Sequence, residues 1–116
     1  MAYNEKLTNR VREFLVDIPD IEEKRMFRGV VFMVNGKMCI TVGDNEIMCR
    51  IDPDLQEMAL KMKFVRQVVM KGRNYSGYVY IHEDGMITKE DFEFWIKLAL
   101  DYNKRAKASK KQKKPS

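Results

Sequence analysis

The amino-acid sequence predicts a single α+β domain in which helices pack against an antiparallel sheet. Apolar residues recur at helical spacing near both ends of residues 4–102, and short apolar runs of strand length lie between them. Asn35 and Gly36 join two of these runs and form a strong hairpin signal, because both residues tolerate the positive φ of a type I′ turn. A chain of 116 residues is long enough for one such domain with its own core.

Three helices are expected from their start signals. Asn4 is a suitable N-cap for the first helix, and Asp52 with Pro53 opens the second. Thr88, followed three residues later by Asp91, resembles a capping box at the start of the third. The third helix has a predicted buried stripe formed by Phe92, Trp95, Ile96, Ala99 and Tyr102.

Five strands are expected between these helices, which gives the order α-β-β-β-α-β-β-α. They cover residues 26–34, 38–42, 47–51, 65–70 and 77–81. Residues 71–76 form a loop between the last two strands, so Arg73 and Tyr75 are expected to be loop residues.

The hairpin turn predicts which residues share a face. With Asn35 and Gly36 as the two loop residues, Val31 lies opposite Ile40. This register predicts a core face formed by Phe27, Gly29, Val31, Met33, Met38, Ile40 and Val42. The other face carries apolar residues, among them Val30, Val34 and Cys39, together with basic residues.

Such a mixed face is unusual, because an antiparallel sheet with helices on one side normally shows water a polar second face. One interpretation is a protein-protein or dimer surface. The alternative is that a helix covers this side too. The candidate interaction face consists of Lys24, Met26, Arg28, Phe32, Met48 and Arg50.

Neither catalysis nor metal or cofactor binding is expected. The predicted register places Cys39 and Cys49 on opposite faces, so we expect free thiols, which agrees with a cytoplasmic protein. Two cysteines and one histidine do not complete a zinc site. His82 follows a strand directly and is expected to be exposed or bonded within a turn, and no phosphate-binding or nucleophile motif occurs.

The net charge of +5 comes from the C-terminal segment. Residues 1–103 hold 15 basic and 17 acidic residues and form the predicted domain. Residues 104–116 are expected to be a disordered tail. Its seven basic residues, the candidate nucleic-acid contacts, are Lys104, Arg105, Lys107, Lys110, Lys111, Lys113 and Lys114. No apolar run is long enough to cross a bilayer, so no membrane contact is expected.

Several separated motifs resemble the signatures of the TfoX (Sxy) N-terminal domain family, over residues 3–103. The first is Lys24-Arg25-Met26-Phe27-Arg28-Gly29, followed by Phe32, Gly36-Lys37-Met38 and Arg50. The second is Met70, Gly72-Arg73 and Gly77-Tyr78-Val79-Tyr80, followed by the Trp95 helix. Arg28 stands where the family commonly has a glycine, and Asn74 stands where it commonly has a proline. The positions expected to be structural are Phe27, Gly29, Gly36, Gly72 and Gly77.

The resemblance implies a fold similar to the secretion-chaperone-like sandwich and a role near the regulation of competence genes. Longer members of the family act with a transcription factor and carry a second, C-terminal domain. Residues 104–116 are too few for that domain, so we expect a stand-alone N-terminal-type domain. The leading hypothesis is a non-enzymatic regulatory or protein-interaction domain with a protein partner or a second copy of itself. The alternative is a nucleic-acid-binding accessory protein that uses the basic tail and binds weakly without sequence preference.

Overall fold

A computed structural model describes residues 4–26 and 29–106, and of Met26, Met70 and Asn74 only the backbone. These residues form three α-helices and six strands, so the predicted α+β class is confirmed. The helices are α1 (Glu5–Phe14), α2 (Gln56–Leu60) and α3 (Lys89–Asn103). The strands are β1 (Ile21–Met26), β2 (Gly29–Val34), β3 (Lys37–Val42), β4 (Glu46–Arg50), β5 (Val65–Met70) and β6 (Arg73–His82). Short 3-10 turns at Pro53–Leu55 and Glu83–Gly85 precede α2 and α3.

Two of the three predicted helix starts are confirmed by their caps, whereas Asp52 caps the 3-10 turn at Pro53–Leu55 and α2 itself begins at Gln56 without a side-chain cap. The side chain of Asn4 accepts a 3.0 Å hydrogen bond from the backbone N–H of Leu7. Thr88 Oγ1 accepts one of 3.1 Å from the N–H of Asp91. His82 is bonded within its turn as expected, because its Nδ1 accepts the N–H of Asp84 at 3.0 Å.

All strand pairs in the sheet are antiparallel, in the order β1-β2-β3-β4-β6-β5. Two-residue turns with positive φ at both positions join β2 to β3 at Asn35-Gly36 and β5 to β6 at Lys71-Gly72. This geometry is that of a type I′ turn, which extends a hairpin up to the turn itself. The prediction of a loop over residues 71–76 is therefore wrong, since Arg73 and Tyr75 lie on β6.

The sheet has one strand more than predicted. Strand β1 pairs with β2 along its whole length, and the predicted strand over 26–34 begins as β2 only at Gly29. Arg12 of α1 holds β1 through two hydrogen bonds to the carboxylate of Glu23, at 2.7 and 2.8 Å. The predicted structural position Phe27 lies outside the described residues, as does Arg28.

A β-bulge at Cys39 changes the predicted register. Met33 lies opposite Met38 as expected, but Phe32 lies opposite Ile40, so β3 has one extra residue between these pairs. Side chains alternate between the two faces along each strand. The extra residue therefore places the β2 side chains that were predicted to share a face with the core residues of β4 on the opposite face of the sheet. The predicted position of Phe32 on the second face is therefore wrong, and Phe32 is fully buried in the core.

The same bulge corrects the other face assignments. Val30, Val34 and Cys39 join the core with Phe32, whereas Val31 does not. Cys39 and Cys49 thus belong to one core and not to opposite faces, although both are free thiols as predicted. Burial raises the pKa of Cys39 to about 12, against the opposing effect of Arg50, and raises that of Cys49 well above its usual value.

The core lies between the sheet and the helices. In α3 the buried residues include Phe92, Trp95, Ile96 and Ala99, as predicted, but the next one is Asn103 and not Tyr102, which is half-buried. Asn103 Nδ2 donates a 3.1 Å hydrogen bond to the carbonyl oxygen of Val34. This bond ties the C-terminal end of α3 to the β2-β3 hairpin.

The described fold continues past residue 103. The ammonium group of Lys37 donates to the carbonyl oxygens of Asn103 and Ala106, at 2.8 and 2.9 Å. Arg105 Nη1 donates to Asp52 at 2.8 Å. Residues 104–106 thus contact the domain, whereas Lys107, Lys110, Lys111, Lys113 and Lys114 lie outside the described residues.

Two glycines have positions that exclude a side chain. A Cβ atom on Gly29 would overlap the carbonyl oxygen of Val42 on β3. Gly77 has a φ of 87°, and a Cβ there would approach the carbonyl oxygen of Ile51 to 3.1 Å. These close backbone contacts explain why the sequence needs glycine at both positions.

Candidate functional site

The described helices pack on one face of the sheet and leave the other as the candidate site. Leu7 of α1, Ala59 of α2 and Trp95 of α3 belong to the same core as Ile40 and Cys49. The side chains that alternate with core residues along the strands form the opposite face, which we call the outer face. Among its members are Glu22, Lys24, Val31, Met33, Met38, Thr41, Glu46, Met48, Arg66 and Tyr80.

A row of directly paired residues crosses the outer face from one edge strand to the other. Each residue pairs with the next in the order Lys24, Val31, Thr41, Met48, Tyr80 and Arg66. The two end residues are cations on β1 and β5, and the residues between them are apolar or hydroxyl-bearing. An uncharged centre with charged ends is typical of the core and rim of a protein interface.

The centre of this row is buried, although the described helices pack on the other face. Val31 is 1% exposed, Met48 7% and Thr41 9%. Val31 and Met48 are also outside the main core cluster. They therefore form a second apolar layer on a face that in most antiparallel sheets is polar.

A cavity of about 280 Å³ opens on the outer face beside Thr41. Met38, Met48 and Tyr80 supply apolar walls, and Glu46 lies at its edge. Thr41 Oγ1 is buried and makes no hydrogen bond to any group that the structure describes. A buried hydroxyl group is normally hydrogen-bonded, so this atom marks an unmet polar contact at the cavity.

An ion pair fixes the edge of the cavity. Arg66 Nη2 lies 2.7 Å from Oε2 of Glu46, and the Arg66 guanidinium stands 4.2 Å from the centre of the Tyr80 ring. The carboxylate of Glu46 is therefore already neutralised, and the Tyr80 ring is held in place by a cation-π contact.

Arg50 occupies a separate position at the end of β4. Its guanidinium carbon lies 5.7 Å from the ring centre of Tyr78 and 5.8 Å from that of Tyr102. Its Nη1 atom is buried without a hydrogen-bond partner in the part of the chain that the structure describes. Arg50 thus bridges β6 and α3, in contrast to the exposed surface cation that the sequence predicts.

The structure brings together only part of the predicted interaction face. Lys24 and Met48 lie in one cross-strand row, Phe32 lies in the core, and Arg28 and the Met26 side chain are outside the described residues. Of the two predicted loop residues, Arg73 is exposed beside the β5-β6 turn. Tyr75 packs edge-to-face on Tyr78, with ring centres 6.1 Å apart.

Sequence reasoning missed four residues of the outer face that line the cavity. Met38 was assigned to the core face, and Thr41, Glu46 and Tyr80 were not included in the candidate interaction face. The alternation of Tyr80 with core residues Val79 and Ile81 was a usable signal. Met38 could not be placed without the bulge.

None of the helices within residues 4–26 and 29–106 is long and apolar enough to cross a membrane. The predicted absence of a membrane partner and the predicted cytoplasmic location stay predictions.

The comparisons with known proteins gave one match. The family model of the TfoX N-terminal domain matches residues 13–102, well over half of the 116-residue chain. This span contains every strand of the sheet, all of α2 and nearly all of α3, but only the last two residues of α1. Neither the comparison with curated proteins nor that with solved structures gave a match.

Proposed function

Because the chain belongs to the TfoX N-terminal domain family, we propose that it is a non-enzymatic regulatory domain that acts by binding another protein through its outer face. A role near the regulation of competence genes is the specific form of this proposal, and it rests on the family resemblance alone. The contact surface rests on the structure.

The row from Lys24 to Arg66 is the observation that carries the proposal. Its uncharged centre lies across β2, β3, β4 and β6 and is already largely buried within the chain, so a partner would contact the half-buried side chains beside it, and its cations lie on the two edge strands. Met33 and Met38 extend the apolar centre toward the hairpin turn. Methionine side chains adapt to different partner surfaces, which suits a binding face.

A matched pair of variants tests this surface. Met33→Glu places a charge at the edge of the apolar centre, and Met58→Glu places the same charge on α2, where Met58 is 43% exposed. The full chain and both variants are used as bait in its source cells, and captured proteins are quantified by mass spectrometry. Sedimentation velocity of the same three proteins measures self-association.

We expect Met33→Glu to lose a specific partner or the dimer, and Met58→Glu to keep it. Circular dichroism checks that both variants are folded. Equal behaviour of the two variants in both measurements would reject the outer face as the contact surface.

The nucleic-acid alternative is supported by the basic residues that follow α3. Arg105 is already paired with Asp52 and Asp101, at 2.8 and 3.5 Å, so the remaining basic residues of 104–116 would supply the contacts. Deleting residues 107–116 spares the contacts of Ala106 with the domain. The alternative predicts DNA affinity that falls steeply with salt and disappears with the deletion. Affinity that survives the deletion would count against it.

A further inference from the structure

The cavity beside Thr41 lies within the outer face and has the features of a small-ligand site. Its volume is about 280 Å³. A dry apolar cavity of about 150 Å³ is already large enough for benzene. The space on the outer face is therefore suited to a molecule with a single ring.

The walls favour an aromatic ring. Met38 and Met48 present thioether side chains, and Tyr80 presents an aromatic ring. Sulfur–aromatic contacts are favourable, and methionine can adjust its shape around a ligand.

The polar groups favour a neutral hydroxyl group on that ring. Thr41 Oγ1 is buried and has no partner among the described residues, so it can donate or accept one hydrogen bond. The carboxylate of Glu46 is paired with Arg66 at 2.7 Å, so this ion pair has no net charge and favours neither an anionic nor a cationic ligand.

We propose that this cavity binds a small, neutral, single-ring molecule that carries a hydroxyl group, with the ring between Met38, Met48 and Tyr80 and the hydroxyl hydrogen-bonded to Thr41 Oγ1. The site is assigned from the cavity alone. It does not rest on the proposed protein contact, because binding of the small molecule is measured on the isolated full chain.

The test uses p-cresol and toluene as probes, which differ in the hydroxyl group. Methionine methyl groups labelled with carbon-13 report the position of binding by NMR, since Met38 and Met48 line the cavity and Met58 and Met62 lie on the exposed side of α2 and just after it. Saturable shifts of the Met38 and Met48 signals, with little change at Met58 and Met62, are expected on adding p-cresol.

Variants of Thr41 then test the hydrogen bond. Thr41→Val removes the hydroxyl and keeps the branched shape, whereas Thr41→Ser keeps the hydroxyl. The affinity for p-cresol relative to toluene should fall by about five- to tenfold in Thr41→Val, and Thr41→Ser should retain the preference of the natural protein. Thr41→Ala replaces Thr41→Val if the valine variant does not fold.

Three results would overturn the inference. The first is no saturable binding of p-cresol, which would mean that the cavity holds only solvent. The second is an equal response at Met58 and Met62. The third is an unchanged preference for p-cresol in the hydroxyl-free variant.

Discussion

The backbone N–H of Gly77 donates a 2.6 Å hydrogen bond to Oε1 of Gln56 inside the protein. Gly77 also accepts a 2.7 Å bond from the N–H of Ile51, so this residue of β6 is bonded on both sides. Between the pairs Gln67–Val79 and Val69–Asn74, β6 departs from regular pairing with β5. The Gln56 side chain therefore accepts the hydrogen bond of the Gly77 N–H at the point where the strand pairing is irregular.

Gln56→Ala should destabilise the protein by about 2 kcal/mol, because it leaves the buried N–H of Gly77 without its acceptor. Chemical denaturation of the full chain measures the free energy of unfolding. Glu57→Ala, at an exposed neighbouring position on α2, is the control and should change stability by less than about 0.5 kcal/mol. Equal losses in the two variants would show that the bond to Gly77 contributes nothing specific.

Gly29→Ala should destabilise the protein by about 3 kcal/mol, since its Cβ would overlap the carbonyl oxygen of Val42 and push β2 away from β3. Gly43→Ala is a matched control, because the nearest atom to its Cβ would be the carbonyl oxygen of Glu46 at an ordinary 3.5 Å. Its effect should stay within about 1 kcal/mol. Thermal and denaturant unfolding of both variants distinguish these outcomes, and a harmless alanine at position 29 would contradict the close approach.

The parts of the fold that were predictable have local signals. Asn4 and Thr88 cap their helices through their own side chains, and Asn35-Gly36 supplies the positive φ angles of its turn. Each of these features depends on a few neighbouring residues. They were sufficient for the fold class but not for the sheet faces.

The face assignment failed because it depends on a single extra residue. Cys39 lies within an ordinary apolar run and carries no local mark of a β-bulge. The bulge nevertheless reverses which residues of β2 lie on the same face as Ile40, compared with the regular pairing that the sequence predicts. Strand β1 was missed for another reason, since residues 22–25 are all charged and have weak strand propensity. Charges of this kind are common on an edge strand, where they discourage pairing with other chains.

Cys39 and Cys49 should resist thiol reagents in the folded protein. Cys39 is 1% exposed and Cys49 is fully buried. With a pKa of about 12 against an ordinary 9.0, Cys39 holds roughly a thousandfold less thiolate than a free cysteine at neutral pH. Ellman's reagent should therefore label neither residue in buffer and both in guanidinium chloride. Ser76→Cys, at an exposed position of β6, provides a thiol that should react in the native state. Fast labelling of the unmodified native chain would contradict the buried positions of both thiols.

The contact between Arg105 and Asp52 should make stability depend on pH in the acid range. The hydrogen bond from Arg105 lowers the pKa of Asp52 below its ordinary value of 3.8, with help from the N–H of Asp54. A lowered carboxylate pKa stabilises the folded state fully above the unfolded pKa, and this stabilisation is lost as the pH falls through the folded pKa.

Asp52→Asn keeps a side-chain oxygen that can accept the N–H of Asp54 and removes the charge that pairs with Arg105. Its melting temperature should be lower than that of the natural protein at neutral pH, and the difference should vanish once Asp52 is protonated in both states. Asp54→Asn is the control, because it removes a charge at an exposed position that makes no ion pair with the residues the structure describes. It should leave the loss of melting temperature on acidification almost the same as in the natural protein. Melting curves from neutral pH to below pH 3.8 measure both variants. A difference for Asp52→Asn that stays constant over this whole range would mean that the ion pair does not link the C-terminal end of α3 to the start of α2.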